Sequence, residues 1–271
     1  MRTPQERALA DVAERSAGPP LDAELRVNLH FHPDRVLESL VREGIYRSQF
    51  ETGTSGGGLT AHPGGDRWRW ESRIFGAAYD NAAPAERPKY GALNFRRRAA
   101  GAAVRFGSAY FRLAPDVNRR STFCYPDSVF EPVDFGVAAR MSLVAKAKAD
   151  HKDLLDDYVE AHVHGPVTLA TDVEALVLDP CFRGTEVDRL AAELPCPVEW
   201  HHGFRLDVEV LREHADYRGA EVVELGESLA RSGFVDARVI GDAARAGRCD
   251  AQRLKRLWHC TARFGYPWLS A

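Results

Sequence analysis

Histidine, tyrosine and glutamate side chains recur on the polar side of three segments in which apolar and polar residues alternate. The three polar sets are His30 with His32, Tyr110, and Glu160 with His162 and His164. Alternation with a period of two indicates β-strands that bury one face and present the other. Solvated sheet faces are usually rich in Thr, Lys, Glu and Ser, so we interpret the three strands as walls of one functional site.

Cleavage of a glycosidic bond is the first chemistry that fits such a set. The reaction passes through an oxocarbenium-like state, which a nearby carboxylate stabilises. Glu160 is the candidate carboxylate, and Tyr110 offers an aromatic face on which a ring can stack. Arginines hold diphosphates through paired hydrogen bonds, and the candidates are Arg35, Arg47 and the three arginines at 96–98.

Metal-dependent hydrolysis is the second chemistry that fits these residues, because two imidazoles at this spacing on one strand bind zinc or iron. The candidate ligands are His30 with His32, His162 with His164, His201 and His202, and Asp34 or Asp179. No His-Glu-x-x-His motif occurs, however, and a metal site would leave Tyr110 without a role. A third interpretation is a binding or immunity module that holds a nucleotide without turnover. Gly-x-Gly-x-x-Gly and Walker motifs are absent, which argues against a Rossmann dehydrogenase or a P-loop NTPase.

The composition is that of a folded protein with one large core. The chain has 271 residues, 45% hydrophobic and 28% charged, and a formal net charge of −3. That charge gives no general attraction to nucleic acid or anionic membranes. Five cysteines without Cys-x-x-Cys spacing indicate reduced thiols and no disulfide framework. With neither a membrane-spanning apolar run nor a secretory pattern, we expect a cytoplasmic protein with no membrane partner.

Local patterns place the candidate residues on an order of strands and helices. Thr3 caps a first helix that ends before Pro19. Strands are expected over residues 26–32, 45–50, 68–75, 108–113, 121–125, 158–164, 167–170 and 173–178, and helices over 33–43, closed by Gly44, and 142–157. A glycine-rich loop at 52–58 is able to approach a ligand closely with its backbone.

The last quarter of the chain has a helical pattern and few candidate chemical groups. Helices are expected over residues 210–214, 220–232 and 251–264. We therefore predict an N-terminal helix (1–20), a catalytic domain (21–204) and a helical C-terminal appendage (205–271).

The order of these motifs resembles the His–Tyr–Glu branch of the ADP-ribosyltransferase superfamily. The first strand carries Leu29-His30-Phe31, and the helix after it ends in Gly44-Ile45. A later strand contains Gly107-Ser-Ala-Tyr110-Phe111, and another begins Val159-Glu160. Phe31 stands where the family has glycine, and Glu160-Ala-His162 stands where protein-modifying members have Glu-x-Glu, which argues against arginine-directed modification. The pattern is also similar to an uncharacterised bacterial family of unknown function.

The resemblance implies an α+β fold with a split mixed or antiparallel sheet, flanking helices and NAD as the substrate. Catalytic roles would fall to Glu160, Tyr110 and His30. The NAD-binding set would be His30, His32, Tyr110, Arg35, Arg47 and Tyr90, and the acceptor side would hold His162 and His164. No metal is expected, and the acceptor stays open between a protein, a nucleic acid, a small molecule and water.

Overall fold

The computed structural model describes residues 2–53 and 60–267. Most of the predicted glycine-rich loop, residues 54–58, lies outside the described residues. Within them the fold is α+β, as predicted, and is built on one mixed sheet of eight strands. The strands are β1 (Val27–Phe31), β2 (Lys89–Leu93), β3 (Ala109–Leu113), β4 (Ser121–Tyr125), β5 (Asp134–Val137), β6 (Val159–Val163), β7 (Val173–Leu178) and β8 (Val198–Trp200).

The sheet order is β5-β4-β6-β2-β1-β3-β7-β8, and all neighbours are antiparallel except β7 and β8. The centre of this sheet is partly open. Strand β1 pairs with β3 from Asn28 to Phe31, but it pairs with β2 only at Val27 and Asn28. The ends of β1 and β2 that carry His30 and Tyr90 therefore lie outside the paired part of the junction.

Helices cover the sheet on both sides. The α-helices are α1 (Pro4–Arg15), α2 (Pro33–Glu43), α3 (Gln49–Thr52), α4 (Asp66–Ile74), α5 (Leu143–Ala149), α6 (Leu169–Asp172), α7 (Glu186–Ala191), α8 (Val208–Glu213), α9 (Ala215–Arg218), α10 (Ala220–Leu229), α11 (Ala237–Arg245) and α12 (Ala251–Phe264). The Thr3 cap is confirmed as a capping box with Glu6, and Gly44 ends α2 in a left-handed conformation. No helix of the described chain is long and apolar enough to cross a membrane.

The polar strand faces are buried and do not face solvent. All five residues of β1 and of β6 are buried, although their sequences alternate. On the β4-β6-β2 half, α1 and α4 contribute to the apolar cluster over the polar face. Trp70 and Phe75 reach His162 with ring centroids 5.2 and 5.3 Å away. His30, His162, His164 and Glu160 are therefore interior groups.

Four predicted elements differ in the structure. The strand predicted at 68–75 is wrong, because this segment forms α4, and the strand predicted at 45–50 gives way to α3 after a single bridge at Ile45. The strand predicted at 167–170 is also wrong, since α6 begins at Leu169, and the helix predicted at 142–157 ends at Ala149. In α4 the buried residues Arg67, Trp70, Glu71 and Ile74 follow helical spacing. The short Trp-Arg-Trp alternation imitates a strand only locally.

The C-terminal region packs on the sheet and adds two strands that the sequence did not suggest. Strands β9 (Arg205–Asp207) and β10 (Phe234–Asp236) form a separate antiparallel pair. Trp258 of α12 is buried in the main apolar cluster, and its indole N–H donates to the Val104 carbonyl at 2.9 Å. Helix α12 is thus part of the main core.

Candidate functional site

A pocket of about 430 Å³ opens at the central junction of the sheet. Its lining combines β1, β2 and β6 with residues of α2, α4 and α12, and with the turn after β4. The polar residues that matter most are His30, Arg67, Tyr90, Asp127, Glu160 and Lys255. Because β1 and β2 pair only at one end, side chains on both strands reach this space.

Glu160 is held in the pocket wall by three hydrogen bonds. Its Oε2 atom accepts hydrogen bonds from the Ser128 backbone N–H at 3.2 Å and from the Ser128 hydroxyl at 3.0 Å. Its Oε1 atom lies 3.1 Å from Nε2 of His162. The residue is 6% exposed, so its position is fixed by these contacts with little help from water.

The environment shifts the pKa values of two of the carboxyl groups that line the pocket, Glu160 and Asp127, in opposite directions. Burial alone would raise the pKa of Glu160, but the His162 hydrogen bond, the positive charge of Arg67 and the Ser128 backbone N–H together lower it. Burial raises the pKa of Asp127, and the negative charge of Glu160 raises it further. Carboxyl groups whose pKa values are pushed apart are a common basis for acid and base roles. The surroundings therefore favour the ionised form of Glu160 more than that of Asp127.

A chain of buried hydrogen bonds runs from Glu160 away from the pocket. Thr122 Oγ1 lies 3.0 Å from Nδ1 of His162 and 3.0 Å from Nε2 of His164, and the Tyr79 hydroxyl lies 2.6 Å from Nδ1 of His164. Burial lowers the pKa of both histidines, so each ring carries one proton. With an ionised Glu160, the chain has a single direction: Tyr79 donates to His164, His164 to Thr122, Thr122 to His162, and His162 to Glu160.

His30 of β1 lines the pocket with both ring nitrogens engaged. The Ala103 backbone N–H donates to Nε2 at 3.1 Å, so the proton is on Nδ1, which faces the Gly107 carbonyl at 3.3 Å. Burial lowers the pKa of His30 to about 3. A neutral imidazole fixed in this way contributes shape and an aromatic edge to the pocket wall.

Tyr110 lies behind His30, and it is not among the described residues that line the pocket. The two rings stack with centroids 5.1 Å apart, and the Tyr110 hydroxyl donates to the Ala99 carbonyl at 2.9 Å. Aromatic rings in the pocket wall come from other positions, including Tyr46, Tyr90 and Tyr158. The structure therefore brings His30 and Glu160 to one pocket and places Tyr110 as a support for His30.

The remaining predicted residues divide in the same way. His32, Arg35, Arg47 and Tyr90 line the pocket, and Arg47 also pairs with Glu43 at 2.7 Å. His162 and His164 are fully buried behind Glu160 and are not among the lining residues that the structure describes. The arginines at 96–98 bind elsewhere, the first and third to Asp157 and the second to Asp22.

The histidine pairs proposed as metal ligands do not converge. In the described ranges, the only His, Cys, Asp or Glu group with metal-ligand spacing is Cys124, Glu160 and His162, whose ligand atoms lie within 4.8 Å of one another. Nε2 of His162 faces both partners, with the Cys124 sulfur at 3.9 Å. His201 is bound to the Ser108 carbonyl at 2.7 Å. Asp34 pairs with Arg245, while Asp179 caps a short helical turn.

Several lining residues were not found from the sequence. Asp127 and Ser128 follow β4 in an irregular turn, and Lys255 comes from the predicted appendage. Arg67 lies immediately before the segment 68–75 that was predicted to be a strand, and it belongs to α4. None of these residues has a motif of its own, because tertiary packing brings them to the pocket.

Comparison with known proteins gives a family but no activity. A family model described as "Protein of unknown function (DUF3626)" matches residues 26–147 and 136–264. The two matches include every strand of the main sheet and all the pocket residues named above. A search of curated proteins found no match.

Proposed function

The chain belongs to the DUF3626 family, whose description names no activity, and we propose that it cleaves the nicotinamide–ribose bond of NAD. The ADP-ribosyl group would then pass to an acceptor or to water. The observation that carries this proposal is Glu160, a carboxylate fixed by three hydrogen bonds in the wall of a pocket. A fixed anion stabilises the oxocarbenium-like charge that develops on the ribose.

The opening between β1 and β2 supports the same proposal. In the ADP-ribosyltransferase-like fold that the sequence resembles, the substrate lies where the sheet is split. Here the β1–β2 pairing stops after Asn28, and His30 and Glu160 line the space that follows. We therefore propose an ADP-ribosyltransferase-like site, in which Glu160 is the catalytic carboxylate and the His30 ring contacts the substrate. Tyr110 becomes a positioning residue that supports the His30 ring.

The test of this function is release of nicotinamide from NAD by the purified protein, with and without a metal chelator. We expect release that the chelator does not change and that Glu160→Gln reduces strongly. Protein, nucleic acid, small-molecule and water acceptors are separated by following NAD labelled in its adenylate part. Intact NAD after prolonged incubation, both alone and with candidate acceptors, would contradict the proposal.

A metal-dependent hydrolase is the second candidate, because Cys124, Glu160 and His162 lie within ligand distance of one another. This set differs from the histidine pairs predicted from the sequence. It shares Glu160 and His162 with the first candidate, but it would use them as ligands. Stoichiometric zinc or iron in the purified protein, lost on Cys124→Ala, would favour it.

A further inference from the structure

Arg67 is a buried cation whose hydrogen-bonding capacity is only partly used by the described residues. The residue is 4% exposed and lines the pocket. Within the described chain, its Nε and Nη1 atoms have no hydrogen-bond partner. A guanidinium stays charged in proteins, and buried N–H groups that lack an acceptor are unfavourable. We therefore expect a ligand that binds in the pocket to supply the missing hydrogen-bond acceptors.

The carboxylates near Arg67 are already engaged with other donors. Glu71, one helical turn along α4, accepts from Arg87 at 2.6 Å and from the Tyr90 hydroxyl at 2.7 Å. Glu160 uses both of its oxygens on Ser128 and His162. Arg67 itself lies over the Tyr90 ring, with Cζ 4.0 Å from the centroid. Stacking supports the plane of the guanidinium, but Nε and Nη1 still have no acceptor among the described residues.

Other unused donors line the same pocket. The Asn28 amide nitrogen is buried without a partner, while its oxygen accepts from the Ala102 N–H at 3.2 Å. Nε of Arg105 is also buried and unpartnered. Arg35 and Lys255 line the pocket, and the described residues form no ion pair with either. Donors exceed acceptors on this wall, so the complementary ligand is rich in acceptor oxygens and negatively charged.

We infer that Arg67 anchors a phosphate-binding subsite in the pocket wall that also carries Glu160. The planar fork of an arginine matches two oxygens of a phosphate group, and unsatisfied N–H groups in a buried wall make such a contact strong. The phosphate would come either from the diphosphate of NAD or from a separate phosphorylated acceptor. The choice between these two molecules rests on the proposed function, whereas the subsite itself does not.

Binding of inorganic phosphate, measured by titration calorimetry at constant ionic strength, tests the subsite directly. We expect saturable binding to the wild type and at least about tenfold weaker binding to Arg67→Met, which keeps apolar contact with Tyr90. Arg69→Met is the matched control, because Arg69 lies on the same helix with its side chain 68% exposed. Its phosphate affinity should stay at the wild-type level. Absence of saturable binding to the wild type, or equal binding to Arg67→Met, would overturn the inference.

Thermal unfolding separates this role from a structural one. Without ligand, Arg67→Met should melt close to the wild-type temperature, because the variant loses the attraction to Glu71 and Glu160 but also removes two buried nitrogen atoms that lack acceptors. A lower melting temperature together with unchanged phosphate affinity would instead make Arg67 a structural residue. If Arg67→Met does not fold, Arg67→Lys is the second variant, because it keeps the charge but lacks the planar fork. Its affinity for phosphate should be several-fold lower than that of the wild type. Wild-type affinity in Arg67→Lys would then refute the subsite.

ADP-ribose distinguishes the two sources of the phosphate. If the NAD diphosphate fills the subsite, Arg67→Met weakens ADP-ribose binding and phosphate competes with ADP-ribose. If a phosphorylated acceptor fills it, ADP-ribose binding is unchanged and phosphate binds beside it. Both outcomes support the subsite. Phosphate binding that depends on Arg67 in a protein that neither binds ADP-ribose nor cleaves NAD would refute the proposed function alone.

Discussion

At the scale of single residues, the site consists of one carboxylate with an unusually complete set of partners. Ser128 holds one oxygen of Glu160, and His162 holds the other. Behind His162, Thr122 and His164 continue a hydrogen-bonded chain to Tyr79. The donors of this chain all point toward Glu160, which favours its ionised form in a buried position.

Glu160→Gln is expected to reduce NAD cleavage by on the order of a hundredfold or more while sparing NAD binding. The substitution keeps the size of the side chain but removes the charge, which acts mainly on the transition state. Nicotinamide release and NAD affinity are measured separately. Glu174→Gln is the control, since Glu174 pairs with Arg26 at an exposed position on β7. Normal turnover in Glu160→Gln would rule out the proposed mechanism.

Thr122→Val is expected to shift the acid limb of the pH–rate profile to higher pH. Valine has a similar shape but cannot donate to His162, so the support for an ionised Glu160 weakens and its pKa rises. Two buried ring nitrogens also lose a partner, which should lower stability by about 1–3 kcal/mol. Thr122→Ser restores the hydroxyl and should restore the profile. An unchanged profile in a folded Thr122→Val protein would show that the chain does not influence Glu160.

At the scale of elements, strands with clear alternation and helices with clear caps could be predicted from the sequence. The first strand, its following helix and α12 were found almost to the residue. The wrong predictions at α3, α4 and α6 concern short segments whose local sequence pattern resembles a strand. In these segments, packing against the rest of the protein determines the helical structure. Burial of the polar strand faces could not be predicted either, because the helices that cover them are distant in sequence. Glu160 and His30 could be assigned to one site, but Arg67 and Asp127 could not.

Gly91→Ala is expected to disturb the central junction on which the pocket depends. A Cβ at Gly91 would lie 2.5 Å from the Asn28 carbonyl oxygen, which is backbone and cannot move independently. Overpacking of this kind typically costs about 1–3 kcal/mol. Gly136→Ala is the control, since its Cβ would meet the flexible Met141 side chain at 3.1 Å. Chemical denaturation measures both, and equal stability losses would show that the β1–β2 contact is not specially tight.

At the scale of the whole molecule, the described chain forms one body around the sheet. The largest apolar cluster joins β1 and β6 to the C-terminal helices α8, α10, α11 and α12. Lys255 of α12 lines the pocket, and His32 meets Trp258 edge to face at 5.3 Å. The region from residue 205 onward therefore shares its hydrophobic core with the strands of the site. It was predicted to be an appendage because its sequence showed only a helical pattern. The interior of the protein also contains many buried titratable side chains.

The buried histidines are expected to make the protein sensitive to mild acid. Burial lowers the pKa of His30 and His259 to about 3 from an ordinary value of 6.5. The unfolded chain binds those protons first, so the stability contributed by each neutral ring is complete above pH 6.5 and falls as the pH drops toward 3. Each such histidine should cost about 1.4 kcal/mol per pH unit in that window. Buried carboxyls with raised pKa values, such as Asp34 and Asp127, act in the opposite direction.

A histidine variant isolates this contribution from that of the carboxyls. His259→Gln should reduce the loss of unfolding free energy between pH 7.5 and 5.5 by about 1.4 kcal/mol relative to the wild type, because one proton uptake on unfolding disappears. His62→Gln, at an exposed position, should leave that loss unchanged. Urea denaturation at the two pH values gives both differences. If His259→Gln loses as much stability as the wild type, then His259 binds its proton equally in the folded and unfolded chains, and burial does not govern its titration.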